Sequence, residues 1–285
     1  MATILKGAPV VAAMNEANAA RCAALSEKGI IPTLAVVRVG AREDDLSYER
    51  GVMTRCGKVG VAVRQFLLPA DASQDELLDV IQKINADASI HGCLLFRPLP
   101  KQFDDRTIRA ALDPKKDIDG ITDGSLAGVF TNTAIGYPPC TAQACLEILK
   151  YYQIPLSGKR AVVVGRSLVV GKPAAMMLDR ENATVTMCNS RTQDLPALCR
   201  EADVVVVAMG RMGAIGGDAL REGQVVVDVG IHVNEEGKLC GDVRFSEAEP
   251  LVDAITPVPG GVGTVTTSVL VGHVVDAAEK AAAAQ

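Results

Sequence analysis

The stretch Ala161-Val-Val-Val-Gly-Arg-Ser-Leu-Val-Val-Gly-Lys-Pro173 restricts the fold more than any other part of the chain. Small and β-branched apolar residues run into Gly165 and then into a helix start, which reads as a buried parallel strand feeding a phosphate-sized turn. Unpaired N–H groups and partial positive charge at a helix N-terminus suit a pyrophosphate. The dinucleotide fingerprint asks for three glycines, however, and only Gly165 and Gly171 are present, with Arg166 and Ser167 where the second would stand. A plain βα turn and a nucleotide site both fit this stretch, so its neighbours decide between them.

Downstream, strands at 161–164, 183–188, 203–208 and 224–229 alternate with helices at about 172–181 and 194–200. This is the doubly wound pattern that a dinucleotide turn needs around it. After the second strand, where an acidic residue would grip an adenosine ribose, stand Cys188-Asn-Ser190-Arg191. Ser190 and Arg191 welcome a 2′-phosphate and favour NADP, with NAD left open. The run Ile255-Thr-Pro-Val-Pro-Gly-Gly-Val-Gly263 then sets two prolines and three glycines within seven residues. A loop that presents main-chain N–H groups to a ligand and an interdomain hinge both fit it. A helix through about 282 follows.

The first half is also α/β. An alanine-rich helix at 9–28 leads to a strand at Leu34–Val39, a loop and helix between Arg42 and Gly60, a strand at 61–68, and a strand at His91–Phe96. Between the last two strands, Ser73 and Glu76 form a capping box ahead of the apolar stripe Leu77, Ile81, Ile84 and Ala88. Tyr48, Val52 and Arg55 share one helix face. The turn Pro114-Lys-Lys-Asp-Ile-Asp-Gly120 offers two carboxylates, and residues 124–139 read as a Gly/Pro connector. Thr141 is expected to cap the next helix, running to Tyr151 or Tyr152, with the domain boundary near 141. A chain of 285 residues accommodates two such domains.

Several function classes are disfavoured. A net charge of −5 without a basic block argues against nucleic acid and anionic membranes as partners. Apolar runs fall short of the roughly 18–20 residues a membrane helix needs, and the N-terminus lacks a signal-peptide pattern, so a cytoplasmic location is expected. The eight cysteines stand singly, without zinc spacing, and read as small buried apolar side chains; no metal is expected. His91, His232 and His273 lack a nucleophile context.

Taken together, the chain resembles the methylenetetrahydrofolate dehydrogenase/methenyltetrahydrofolate cyclohydrolase family from end to end. The resemblance rests on Val39-Gly40 with Tyr48, Gly92-Cys-Leu-Leu-Phe-Arg-Pro-Leu-Pro100, Lys116-Asp-Ile-Asp-Gly120, Pro139-Cys-Thr141, Val164-Gly-Arg-Ser167, Asn189-Ser-Arg-Thr192, Asp228-Val-Gly-Ile231 and Pro257-Val-Pro-Gly-Gly-Val-Gly263. It implies two α/β domains, a folate domain of 1–140 completed by 266–285 and a Rossmann-type NAD(P) domain of 141–265, with a cleft between them and a homodimer. It further implies hydride transfer from 5,10-methylenetetrahydrofolate to the nicotinamide of NADP, in one-carbon metabolism.

Carried over by position, Tyr48 lines the pterin and aminobenzoyl region. Asp119 accepts hydrogen bonds from the pterin amino and ring N–H groups. Arg166, Ser167 and Ser190, with Arg191 beside them, hold nucleotide phosphates. Ile231 backs the nicotinamide, and Pro259, Gly260 and Gly261 close on the folate. Two positions depart from the bifunctional pattern: Val52 stands where a lysine is expected and Phe96 where a glutamine is expected. A desolvated lysine can shuttle a proton in the hydrolysis of the methenyl cation and a valine cannot, so weak or absent cyclohydrolase activity is expected. A bifunctional enzyme with a substitute base and a non-catalytic nucleotide- or folate-binding module are the alternatives.

Overall fold

The computed structural model describes residues 1–283, so the last two positions of the expected 266–285 segment lie outside the described residues. In chain order the first elements are β1 (Thr3–Ile4), α1 (Gly7–Ser26), β2 (Thr33–Val39), α2 (Glu43–Val59), β3 (Ala62–Leu68), α3 (Gln74–Ala86), β4 (Gly92–Leu95), α4 (Asp105–Ala111), α5 (Asp123–Thr131) and α6 (Cys140–Tyr151). They continue with β5 (Arg160–Val164), α7 (Gly171–Arg180), β6 (Thr184–Cys188), α8 (Leu195–Glu201), β7 (Val204–Val207), β8 (Val225–Asp228), β9 (His232–Val233), β10 (Leu239–Cys240), α9 (Phe245–Ala248), β11 (Ala254–Ile255) and α10 (Val262–Ala283).

The chain divides into two compact units, one of residues 1–12 with 139–266 and one of 13–138 with the segment from 267 on. By their contacts the first twelve residues group with 139–266, whereas the expected division set them with the rest of 1–140. The reason is local: Thr3 and Ile4 pair in parallel with Ala254 and Ile255. Such a two-residue strand leaves no periodic signal in the sequence.

In the unit built on 13–138, β2 lies between β3 and β4 in a parallel sheet, with Leu34 opposite Val63 and Gly92. All seven residues of β2 are buried, as expected for a parallel strand covered on both faces. The capping box at Ser73 is formed in both directions, and Leu77, Ile81 and Ile84 pack on Ala35, Val37 and Leu95. Burying each of those three side chains contributes roughly 1.5–3 kcal/mol before chain entropy is subtracted. The connector expected at 124–139 instead contains α5, capped by Thr122, whose hydroxyl accepts from the Ser125 N–H at 3.1 Å. Thr141 does not cap α6; Pro139 occupies the N-cap position and makes no side-chain hydrogen bond there.

In the other unit a six-stranded sheet runs β1-β11-β8-β7-β5-β6, every pairing parallel. Val162, Val164, Val205, Val207, Val226 and Ile255 supply its apolar core. Strand order reverses between β5 and β7, which is where a doubly wound sheet opens a ligand crevice beyond its carboxyl ends. Seven of the eight cysteines are buried, and burial pushes thiols such as Cys56 up to about 12, away from reactivity. Among the described residues no helix is long and apolar enough to cross a membrane.

Candidate functional site

At the carboxyl end of β5 the chain turns at Gly165, whose φ is +134°. A Cβ there would lie 2.2 Å from the Ala208 carbonyl oxygen, because the turns after β5 and β7 abut at the switch point. A Cβ at Gly171 would likewise lie 2.2 Å from the Gly165 oxygen, so these two glycines suffice to bring α7's start against the turn. Ser167 Oγ accepts from the Val170 N–H at 3.1 Å, which closes the helix entrance. Arg166 and Ser167 are exposed at the mouth of this cradle. Its shape and its N–H donors fit a dinucleotide pyrophosphate.

The loop after β6 lies beside it, since the Gly165 N–H donates to the Cys188 carbonyl at 2.9 Å. Asn189 organises that loop: its Oδ1 accepts from the Arg191 N–H at 3.0 Å, and its own N–H donates to Thr192 Oγ1 at 2.8 Å. Ser190 and Arg191 are thereby left exposed at the tip. Thus Arg166, Ser167, Ser190 and Arg191 come together along one edge of this unit, with two guanidinium groups and no carboxylate among the four.

Farther along the same sheet, Asp228 to Ile231, Leu239 and Pro257 to Thr264 line a cavity of about 190 Å³. Ile231, Pro259, Gly260 and Gly261, which lie far apart in sequence, are gathered there. Ile231 is 60% exposed, so its side chain is open to the solvent side of this cavity. Gly7 donates its N–H to the Gly260 carbonyl at 2.8 Å, so the start of α1 holds the loop from below. The 257–263 segment is a wall of a cavity and not simply a connector.

Under that cavity lies a carboxylate absent from the sequence-based site. Asp228 Oδ1 accepts from the Gly230 N–H at 2.9 Å and the Asp242 N–H at 3.0 Å, and Oδ2 accepts from the Val243 N–H at 2.9 Å. Burial, with the nearby Asp242 charge adding to it, raises its carboxyl to about 6 despite these three donors. A carboxyl raised above its unfolded value contributes stability that is full below about 4 and is lost as pH rises through about 6. The margin by which the parent chain exceeds Asp228→Asn in urea unfolding is therefore expected to shrink by roughly 2–3 kcal/mol between pH 4 and pH 7. A pH-independent margin would contradict the assignment.

In the other unit, Tyr48 and Phe96 meet edge to face, with ring centroids 5.7 Å apart and planes at 63°. Tyr48 is 39% exposed, Phe96 7%, and Val52, one helical turn after Tyr48, is fully buried. The next residue after Tyr48 points elsewhere: Glu49 accepts from Arg38 Nε at 2.8 Å, and this pair is buried. Tyr48 and Phe96 thus meet near the carboxyl ends of β2 and β4, with Val52 buried one turn farther along α2.

The two carboxylates of the 114–120 turn have different fates. Asp117 is fully buried and accepts from the Ile121 N–H at 3.0 Å, the Thr122 N–H at 2.7 Å and the Ser125 hydroxyl at 2.6 Å. It is the internal anchor of α5, whereas Asp119 stays partly exposed. Between them, the Ile118 carbonyl accepts from His273 Nδ1 at 2.7 Å. A carbonyl only accepts, so the neutral ring carries its proton on Nδ1, and burial pushes its pKa down. The sequence shows His273 only as an isolated histidine; a partner 155 residues away has no local signature.

Comparison with known proteins accounts for both halves. Residues 5–119 match the tetrahydrofolate dehydrogenase/cyclohydrolase catalytic domain, and residues 139–282 match the NAD(P)-binding domain of the same family. The chain is 53% identical to the bifunctional protein FolD of Carboxydothermus hydrogenoformans over 98% of each chain. It is 46% identical to the bifunctional protein FolD of Clostridioides difficile over 96% of each. Among solved structures, the bifunctional FolD methylenetetrahydrofolate dehydrogenase/cyclohydrolase of Campylobacter jejuni superposes with a TM-score of 0.95 at 36% identity, covering 98% of this chain and 99% of that one. The Trypanosoma brucei methylenetetrahydrofolate dehydrogenase-cyclohydrolase, solved with NADP and an inhibitor, gives 0.91 at 31% identity, covering 99% and 98%. With the glycine cradle, the Pro257–Gly263 wall and the Asp119 turn all in place and both family domains matched, the chain belongs to the tetrahydrofolate dehydrogenase/cyclohydrolase family.

Proposed function

We propose that this chain oxidises 5,10-methylenetetrahydrofolate to the methenyl cation with NADP and also hydrolyses that cation, without an amine at position 52. The observation that carries the first reaction is the close approach of Gly165 to Ala208 at the switch point, which builds a pyrophosphate cradle in a family NAD(P) domain. NADP, when bound, supplies the nicotinamide C4 that accepts the hydride. The chain's own part is placement. Ser167 has an O–H proton to donate to a phosphate, Arg166 and Arg191 supply charge, and Ser190 with Arg191 suits a 2′-phosphate. Ile231 offers a flat apolar backing. In the folate unit, Asp119 accepts from the pterin N–H groups and Tyr48 lines the ring, with Phe96 and Val52 excluding water beneath it. Placement of two reactants is most of what hydride transfer requires, so it survives the loss of the lysine.

The second reaction draws its support from the relatives, which are named as bifunctional proteins across nearly the full chain. The expectation of weak or absent hydrolysis is therefore not taken as the main reading. A single-activity dehydrogenase is the second reading, favoured by the apolar pair Val52 and Phe96. On the main reading another group moves the proton, and hydrolysis is the slower of the two steps. A homodimer and a folate substrate form part of the same proposal by family likeness.

The test of the first reaction is the formation of reduced nicotinamide from methylenetetrahydrofolate with NADP and NAD in parallel. A kcat/KM at least about tenfold higher with NADP is expected from Ser190 and the Arg191 guanidinium facing the 2′-phosphate. Equal or better turnover with NAD would contradict the 2′-phosphate assignment.

A further inference from the structure

Beside the cavity lined by Ile231, a second buried carboxylate ties together two segments that no reading of the nucleotide site uses. The side chain of Asp242 is fully buried. Its Oδ2 accepts from the Met209 N–H at 2.6 Å and the Gly210 N–H at 2.9 Å, and its Oδ1 accepts from the Arg211 N–H at 2.8 Å. Three successive amides of the turn after β7 thus wrap one carboxylate, filling from within the chain a nest that would otherwise take an anion. The same Oδ1 lies 2.7 Å from His232 Nε2. An ionised carboxylate only accepts, so the imidazole proton sits on Nε2 and points at Asp242.

His232 directly follows Ile231 and starts a ribbon of two residue pairs, His232 with Cys240 and Val233 with Leu239. A ribbon that short has little stability of its own. Yet Ile231, immediately before it, and Leu239, on its return strand, are both walls of the cavity. What fixes the ribbon is its attachment to the loop after β7. The Gly213 N–H donates to the Gly241 carbonyl at 3.1 Å, and His232 reaches Asp242. Gly241 itself lies so close to Asp228 that a Cβ there would fall 1.9 Å from Oδ2, which leaves the ribbon's return strand no room to shift inward.

We propose that the Asp242–His232 link is a positioning device for the nicotinamide: it holds the ribbon at the height where Ile231 and Leu239 close the cavity on a flat ring. Neither residue touches the reacting atoms. The inference rests on the nicotinamide reading of this cavity.

The experiment measures NADPH binding to the whole chain through the cofactor's own fluorescence, alongside KM for each substrate and the urea midpoint. Parent, His232→Leu, His232→Asn and His232→Gln are compared. Leucine cannot donate and the asparagine amide is too short to reach, so both are expected to weaken NADPH binding and raise KM for NADP by about tenfold, the worth of one hydrogen bond to a charged group. KM for methylenetetrahydrofolate is expected to stay within about twofold, and glutamine, whose amide N–H reaches Asp242, to restore most of the NADPH affinity. Leucine and asparagine variants that bind NADPH like the parent, or a rise in both KM values together that glutamine fails to rescue, would overturn the proposal. Failure of the parent to bind NADPH at all would be different: it would bring down the nucleotide reading and this inference with it.

Discussion

Gly165→Ala is expected to weaken NADP binding by at least about 100-fold, with a loss of roughly 2–4 kcal/mol in stability of the unit that holds it. The added Cβ would meet the Ala208 carbonyl at 2.2 Å, and the residue would have to hold a φ of +134°, which side chains rarely adopt. Relief requires the turns after β5 and β7 to part. Parting them moves the amides at the start of α7 by about an ångström from the phosphates they serve, and misplacement of that size costs on the order of 100-fold. NADPH fluorescence titration checks the affinity and urea unfolding the stability. Parent-like binding in this variant would show that the cradle is not where the pyrophosphate lies.

Asp119→Ala is expected to lower kcat/KM for methylenetetrahydrofolate by about 100- to 1,000-fold while leaving NADPH affinity within about twofold. The reasoning is a count of acceptors. The carboxylate is proposed to take two N–H groups of the pterin, and a hydrogen bond to a charged group is worth about 1.5–3 kcal/mol. Asp117 cannot stand in, because its two oxygens are already committed to Ile121, Thr122 and Ser125. Asp117→Ala should therefore unfold the turn and α5 with it, and lower the urea midpoint more than Asp119→Ala does. A stability loss in Asp119→Ala equal to that in Asp117→Ala would remove Asp119 from the binding site and make it a second anchor.

The residues behind these two variants differ in how plainly the amino-acid order announces them. The run of valines ending at Gly165 declares itself because strand, glycine and helix start are consecutive, and the sheet follows from its repetition. Ser190 and Arg191 are legible for the same reason, as the loop after the next strand. The Pro257–Gly263 segment stands out by composition, though only the structure shows that Ile231 and Leu239 face it across a cavity. Other features are illegible for identifiable reasons. The α5 helix has glycines at 124 and 128 and little intrinsic propensity. It forms because Asp117 and Thr122 tie down its first turn, and a tertiary tether has no period.

Asp228, Asp242 and His232 are hidden differently. Each is ordinary in its local sequence, and their common role depends on backbone amides contributed by several loops. Thr141 misleads for the opposite reason: it is a good capping residue placed after the helix has begun, since Pro139 already holds the cap position. That the first residues pair with Ala254 and Ile255 is hidden as well, because β1 is too short to announce its partner. Among the residues assigned by resemblance, the structure brings Arg166, Ser167, Ser190 and Arg191 to one edge and Ile231 with Pro259–Gly261 to one cavity. It also joins Tyr48 to Phe96.

Whether this chain runs both reactions, although hydrocarbon fills the place of the expected lysine, is decided by the decay of added methenyltetrahydrofolate. The decay is followed by absorbance in a buffer of low intrinsic hydrolysis, with and without the chain. Decay that rises in proportion to enzyme concentration, at a turnover below that of NADPH formation, is the predicted result. Decay at the buffer rate at every enzyme concentration, from a preparation that forms NADPH at full speed, would contradict it and leave a dehydrogenase alone.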